Sequence, residues 1–528
     1  MARSFEFHAR TVSFLTFLSR ITGLARDAAM SRVFGVGVVT DAFSFAFMVP
    51  NLFRRLFGEG ALTSSFLPVY AQIQERDPEI AKALARMVLS RVAVFLGAVC
   101  LLGEFILWLV WPTGGEDSAI LSARLVAILL PYMPMICLVA LIGAILQVHH
   151  RFGPTAAAPI ILNVMIVLAR VGLAPSVMRK AGFQEIDPYV HIMVVGASVV
   201  VAGVLQWMWS AWSLRGLDIR GGVICAESRR RLKQVIYQAV PMAIGLGVLQ
   251  VNTFVDGLIA SYPTLVGPTI FGIAYPLQEG SMASLSFAQR LYEFPLGVFG
   301  ISIATAIFPQ LSREAKDPVA FCASISRALR LAVFIGLPAS VGLMMLRVPL
   351  TATVFQGESF SADDTARVAS ILLAFAPAIW AYSANQLLTR AFYARGESMT
   401  PVIVAVSMVA LNFALNVTLI WTPLNTAGLA LSTAFCSIVQ MFILQRLLAR
   451  RVGPLLTGEV LGGWWRTAVV SVVMGSTIAL AMYFTPSSSS WIGTACSLLA
   501  FVALGGGVVF AMSMALRMPE LRWVLGRR

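Results

Sequence analysis

Residues 121–148 read LSARLVAILLPYMPMICLVALIGAILQV, and Arg124 is their only charged side chain. A helix needs about 20 predominantly apolar residues to cross a bilayer, so this stretch is long enough to span. Runs of the same kind recur along all 528 residues. They predict about fourteen helices, at 11–35, 41–73, 86–111, 121–148, 157–174, 190–213, 235–260, 280–312, 327–346, 367–392, 400–421, 426–448, 464–485 and 491–516. The composition agrees, with 58% hydrophobic and 12% charged side chains, about half the charge of an ordinary soluble domain. The fold class expected is an all-α integral membrane protein.

The excess of 39 Lys and Arg over 25 Asp and Glu does not imply nucleic acid in such a chain, because positive charge collects in cytoplasmic loops. The connections after even-numbered segments are basic: Arg76, Lys82 and Arg86; Arg151; Arg215, Arg220, Arg229, Arg230, Arg231 and Lys233; Arg313 and Lys316; Arg395; Arg450 and Arg451. The opposite connections hold almost no Lys or Arg, apart from Arg32, Arg179, Lys180 and Arg347. Both termini are therefore expected in the cytoplasm, with the N-terminus retained. The six cysteines are scattered without a CxxC or Cys/His spacing, so neither a disulfide framework nor a zinc site is indicated. His8, His149, His150 and His191 sit at termini, loops or a segment edge and read as interfacial.

Two sequence matches recur at nearly one offset. Ser65-Phe66-Leu67-Pro68 and Ala306-Ile307-Phe308-Pro309 lie 241 residues apart, and Pro159 and Pro401, each after an Arg-containing turn, lie 242 apart. This predicts two similar halves of six helices in one orientation. The division expected is an N-terminal lobe (1–214), a basic cytoplasmic linker (215–234), a C-terminal lobe (235–450) and a final helix pair (451–528).

Ionisable residues inside apolar segments are costly and mark functional positions. Segment one carries Arg20, Arg26 and Asp27. Segment two carries Asp41, Arg54, Arg55 and Glu59, and segment eight carries Arg290 and Glu293. Arginine keeps its charge when desolvated and grips phosphate bidentately, so these segments are expected to line a cationic cavity for a phosphate-bearing substrate. Asp27, Asp41, Glu59 and Glu293 would hold the arginines when no ligand is present. Arg20 and Arg26 lie about 240° apart on an ideal helix, so sharing one cavity calls for a bend at Gly23. Ion pairs between helices are the alternative reading. An oxygen-rich set, Asn252 and Asp256 on segment seven, Asn412 and Asn416 on segment eleven and Ser432 on segment twelve, reads either as helix-joining amides or as a small-cation site.

Ser19-Arg20-Ile21-Thr22-Gly23-Leu24-Ala25-Arg26-Asp27, Thr40-Asp41-Ala42-Phe43, the run from Pro50 to Phe57 with Glu59-Gly60-Ala61, and Ala288-Gln289-Arg290-Leu291-Tyr292-Glu293-Phe294-Pro295 closely resemble the MurJ (MviN) lipid II flippases of the multidrug/oligosaccharidyl-lipid/polysaccharide exporter superfamily. The resemblance implies two six-helix lobes in a V, two C-terminal helices forming a groove for a lipid tail, and flipping of lipid II across the bacterial inner membrane. It puts Arg20, Arg26 and Arg290 on essential cavity positions, with Asp27, Asp41, Arg54, Arg55 and Glu59 on other functional ones. It implies no cofactor, and leaves Na+ coupling, H+ coupling and the membrane potential open as driving forces. Asp256 matches one acidic residue of the family's sodium site, whereas Asn416 stands where the other is acidic. Lipid II, membrane lipids and cell-wall synthesis proteins are the partners implied. A flippase for another polyprenyl-linked saccharide and a cation-coupled drug exporter are rivals, the latter disfavoured by basic rather than acidic segments. An enzyme is disfavoured because no nucleophile, base or metal constellation is visible.

Overall fold

The computed structural model describes residues 2–58, 60–111, 117–173, 175–176, 187–217, 222–297, 301–485 and 490–525. Nineteen α-helices and one two-stranded hairpin are described. They are α1 Ala2–Phe34, α2 Val38–Phe53, α3 Ala61–Arg76, α4 Pro78–Leu109, α5 Asp117–Leu129, α6 Tyr132–Val148, α7 Gly153–Leu168, α8 Pro188–Ser213, α9 Ala226–Leu265, α10 Ser281–Pro295, α11 Ile301–Glu314, α12 Pro318–Phe355, α13 Ala362–Phe375, α14 Ile379–Ala394, α15 Met399–Leu419, α16 Thr426–Val452, α17 Gly458–Phe484, α18 Trp491–Ala515 and α19 Pro519–Val524. Strands β1 Thr269–Ile270 and β2 Ile273–Ala274 pair antiparallel. All fourteen expected segments fall mainly on helix; among the described residues the second changes to a π-turn at Arg54–Gly58, the fourth is broken between Leu129 and Tyr132, the fifth runs into the π-turn Ala169–Leu173 and the tenth contains a 3-10 turn at Ala376–Ala378.

Several helix starts follow from one dipeptide. Asp-Pro opens α4, α8 and α12. Proline fits the first helical position, where its missing N–H is not needed, and the aspartate before it accepts from the exposed donors of the first turn. Asp77 accepts from the Glu79 and Ile80 amides at 3.1 and 3.2 Å, Asp187 from Tyr189 at 2.8 Å, and Asp317 from Val319 and Ala320 at 3.0 and 3.2 Å. Asp77 and Asp317 lie 240 residues apart, a third match at the repeat offset.

The chain forms two compact units, Met1–Ala283 and Ser284–Arg528. The first has one core around Leu121, Leu125, Leu129, Val195 and Val199, and another in which Val235 of α9 packs with Phe66, Tyr70, Leu84 and Leu141. The second is centred on Phe321, Leu387, Leu388, Phe392, Leu444 and Leu448. Large apolar side chains are also exposed in rows, among them Leu101, Trp108 and Leu109 on α4. In a soluble protein such rows are a liability, whereas lipid solvates them. Ten helical stretches among the described residues are long and apolar enough to cross a membrane. The chain is a multi-pass membrane protein.

The other four expected segments are the first, second, seventh and eighth, two pairs separated by six. They are helical but fall short of an uninterrupted apolar span. In the second a π-turn over Arg54–Gly58 follows α2, and in the eighth α10 ends at Pro295 and α11 begins at Ile301. Pro50, four residues before the π-turn, removes a helical N–H, and Pro295 ends α10. Discontinuous helices at corresponding places in two halves are a recognised mark of substrate-handling regions in transporters.

Candidate functional site

Arg26 is 9% exposed, and its partners satisfy it from two helices. Its Nε and Nη2 donate to Asp27 Oδ1 at 2.9 and 2.7 Å, and its Nη1 donates to Asn163 Oδ1 on α7 at 3.1 Å. The Asn163 amide in turn donates to Thr22 Oγ1 at 3.1 Å and to the Ser19 carbonyl at 3.3 Å. The guanidinium also lies 6.0 Å from the Phe47 ring centroid. A charge so deep in an apolar bundle persists only when paired and hydrogen-bonded, and this network supplies both. Gly23 faces the same amide, with a Cβ position 3.6 Å from Asn163 Nδ2.

Helix α1 runs without interruption through Gly23. Arg26 turns toward α7, while Arg20 is partly exposed and makes no hydrogen bond or ion pair among the described residues.

Asp41, in the first turn of α2, is completely buried. Its Oδ2 accepts from the Gly280 amide at 2.6 Å and from Thr264 Oγ1 at 3.0 Å, and its Oδ1 accepts from the Ala283 amide at 2.7 Å. Gly280 and Ala283 present N–H groups that a helix start leaves without internal partners, so Asp41 caps α10 from a remote position. The capping role was not expected of this carboxylate.

At the π-turn, Asn51 donates to the Phe47 carbonyl at 3.1 Å and accepts from Arg54 Nε at 3.2 Å. Arg54 and Arg55 are both half-buried, and Glu59, expected beside Arg55, lies outside the described residues. In the second unit Arg290 is exposed and pairs with Glu293 at 3.3 Å, while Gln289 donates to the other oxygen of Glu293 at 3.1 Å.

The oxygen-rich residues are distributed over both compact units. Asn412, Asn416, Ser432 and Thr433 form one buried hydrogen-bond cluster joining α15 to α16. Asn416 donates to Asn412 Oδ1 at 2.9 Å, Asn412 donates to Ser432 and Thr433 at 3.3 and 3.2 Å, and the Ser432 hydroxyl donates to Asn416 Oδ1. Asp256 belongs to the first compact unit, where Asn252 donates to it at 3.4 Å. Both amide oxygens of the α15–α16 cluster already accept hydrogen bonds and the cluster carries no charge, a poor donor set for a cation. Among the described residues no group of three or more His, Cys, Asp and Glu is placed to hold a metal.

His191 lies in the first turn of α8. It is buried, 4.9 Å edge-on from the Phe34 ring, with Nε2 3.2 Å from the Arg170 carbonyl in the π-turn Ala169–Leu173. Asn163, Thr264 and Asn51 were missed. Asn163 carried a usable signal, being an amide inside the apolar run 157–174, the same criterion that singled out Asn412 and Asn416.

A helical membrane bundle with arginine and carboxylate groups inside segments one, two and eight has the build of a polytopic transporter, and its fold is shared by solved structures of that class. One is titled "Lipid II flippase MurJ, inward closed conformation" (TM-score 0.74, 23% identity, covering 96% of this chain and 98% of that one). Another is an inward-facing multidrug resistance MATE family transporter of the MOP superfamily (TM-score 0.61, 15% identity, covering 85% and 98%). The family model described as "Lipid II flippase MurJ" matches residues 30–503. A probable lipid II flippase MurJ of Rhizobium tropici is 31% identical over 86% of this chain and 85% of its own length. The chain belongs to the MurJ family. It is a transporter rather than an enzyme.

Proposed function

We propose that this protein flips lipid II from the inner to the outer leaflet of the bacterial cytoplasmic membrane, its arginines engaging the pyrophosphate while the polyprenyl tail stays in lipid. Family membership supports the substrate, and one observation supports the mechanism: guanidinium groups recur in the polar segments, and Arg20 is left without a partner among the described residues. Each amide and hydroxyl of a sugar-peptide headgroup costs several kcal/mol to strip of water in hydrocarbon, so a polar path shielded by protein lowers the barrier. The two halves alternate access to the two sides, with Pro50 and Pro295 as places where helices yield. A cell interior is electrically negative, and outward movement of an anion is favoured by about 2.3 kcal/mol per charge per 100 mV. We take that potential as the driving force, because the α15–α16 amides are bonded to one another and Asn416 lacks the charge a sodium site wants.

Complementation tests the reading. Arg20→Ala, Arg26→Ala and Arg290→Ala should each fail to rescue a flippase-depleted strain although the proteins insert and accumulate normally. Normal growth with all three variants would discard the arginine mechanism. Lipid II that stays in the inner leaflet of depleted cells would identify the substrate.

A further inference from the structure

The connection between α9 and α10 carries the hairpin β1–β2, and its tip is built in an unusual way. Phe271 is 98% exposed, and Ile273 and Val266 are 61% and 67% exposed. Phe271 holds φ +50°, a left-handed conformation that bulky residues seldom adopt, and Gly272 follows at φ +80°. The turn therefore places an aromatic ring in the open at a cost in backbone strain. No residue from Val266 to Gln278 is charged.

The base of the hairpin is rigid. Tyr262 and Tyr275 stack with ring centroids 4.4 Å apart, Tyr262 donates to the Thr269 carbonyl at 3.1 Å, and the Tyr275 amide donates to the Pro268 carbonyl at 2.8 Å. The Tyr275 hydroxyl donates to the Ile259 carbonyl at 3.0 Å. Pro263, four residues on, has no N–H, so that carbonyl lacks its helical donor and the tyrosine replaces it. Burial pushes the Tyr275 hydroxyl up to about 12, which keeps it a donor. Ile259 lies six residues before the end of α9, about 9 Å along the helix. The hairpin therefore folds back along α9 and does not stand away from it. The base of the hairpin is thus tied to the last turns of α9, and an interfacial layer about 5–7 Å deep lies at the end of any helix that spans.

We propose that the hairpin tip, Phe271 with Ile273 and Val266, inserts into the lipid headgroup region on the face opposite the basic linker and anchors the loop that presents Gly280 and Ala283 to Asp41. Uncharged, aromatic and apolar side chains held at a helix end suit that zone. The inference rests on the membrane fold and not on the transported substrate, and its readout is independent of transport.

The test uses the full-length protein with its six cysteines replaced, carrying Phe271→Cys labelled with an environment-sensitive dye and reconstituted in phosphatidylethanolamine/phosphatidylglycerol vesicles. Dye emission should shift to the blue. A lipid spin-labelled near its headgroup should quench it, and aqueous iodide should quench it severalfold more weakly than the same dye on glutathione. Ile273→Cys should behave likewise, and adding Phe271→Asp to it should restore iodide access. Iodide quenching equal to that of the glutathione adduct, with none from the lipid label, would overturn the proposal and leave the tip as a surface for a soluble partner. Unchanged access at position 273 after Phe271→Asp would also overturn it.

Discussion

The carboxylate of Asp41 accepts the main-chain N–H of Ala283 at 2.7 Å, tying the start of the second segment to the start of the eighth. With Gly280 and Thr264 it gathers three donors in a site closed to water. Asp41→Ala should leave all three unsatisfied and cost about 1–3 kcal/mol, visible as a lower thermal midpoint in detergent. Asp41→Asn fills the space but brings its own N–H toward donors, so it should be nearly as damaging. A midpoint unchanged in both variants would remove the cap from any account of stability.

Asn163 is expected to act with Arg26 as one unit. Asn163→Ala should reduce flipping, and adding it to Arg26→Ala should change little further. The non-additivity in stability should be about 0.5–3 kcal/mol, measured by a double-mutant cycle. Strict additivity would mean that the 3.1 Å contact has no energetic content.

Arg290→Lys tests what the guanidinium contributes. Charge is retained and the bidentate fork is lost, so transport should fall although the pairing with Glu293 survives. A lysine variant with wild-type flipping would show that a point charge suffices.

Orientation is open to thiol chemistry. Cys225 caps the start of α9, and hydrogen bonding from Ser228, first of all its amide donating to the sulfur, holds the thiol below the usual range. Its thiolate fraction, and hence its labelling rate, should therefore level off at a lower pH than that of an ordinary thiol. In intact cells a membrane-impermeant reagent should miss Cys225 until the membrane is opened, whereas Ser488→Cys, in a chain lacking the native cysteines, should react from outside. The reverse order would invert the topology.

The C-terminal helix is held by charge. Arg330 donates to Glu520 Oε1 through Nε and Nη2 at 2.8 and 2.7 Å, Glu520 is 1% exposed, and Trp523 lies under both Arg327 and Arg330. A Cβ at Gly463 would lie 2.8 Å from Glu520 Oε1 and 3.0 Å from Arg330 Nε. Glu520→Ala should leave Arg330 with the exposed Glu459, 3.9 Å away, in place of a buried two-point contact and so lower the thermal midpoint, and Gly463→Val should release α19 to limited proteolysis. Equal protease resistance in wild type and variants would refute the staple.

The apolar runs made the helices legible because the bilayer demands length and hydrophobicity of each segment separately. The arginines and their acidic neighbours were legible for the converse reason, since charge inside such a run is conspicuous. Asp41 was found as a site but not as a cap, because its donors are backbone N–H groups about 240 residues away, which any sequence possesses. The contact of His191 was hidden for a related reason: its acceptor is the main-chain carbonyl of Arg170.

The contact between Arg26 and Asn163 spans 137 residues, and that separation bears on how the protein is made. At the centre of a helix, Arg and Asp each raise the cost of entering the bilayer by about 2.5–3.5 kcal/mol. When α1 leaves the ribosome, its amide partner on α7 has not been translated. The first helix must therefore wait in the insertion machinery or at the membrane surface, or enter with Asp27 as its only counter-charge. Biogenesis of this protein should consequently depend on late consolidation, with α1 becoming resistant to extraction only after α7 has emerged.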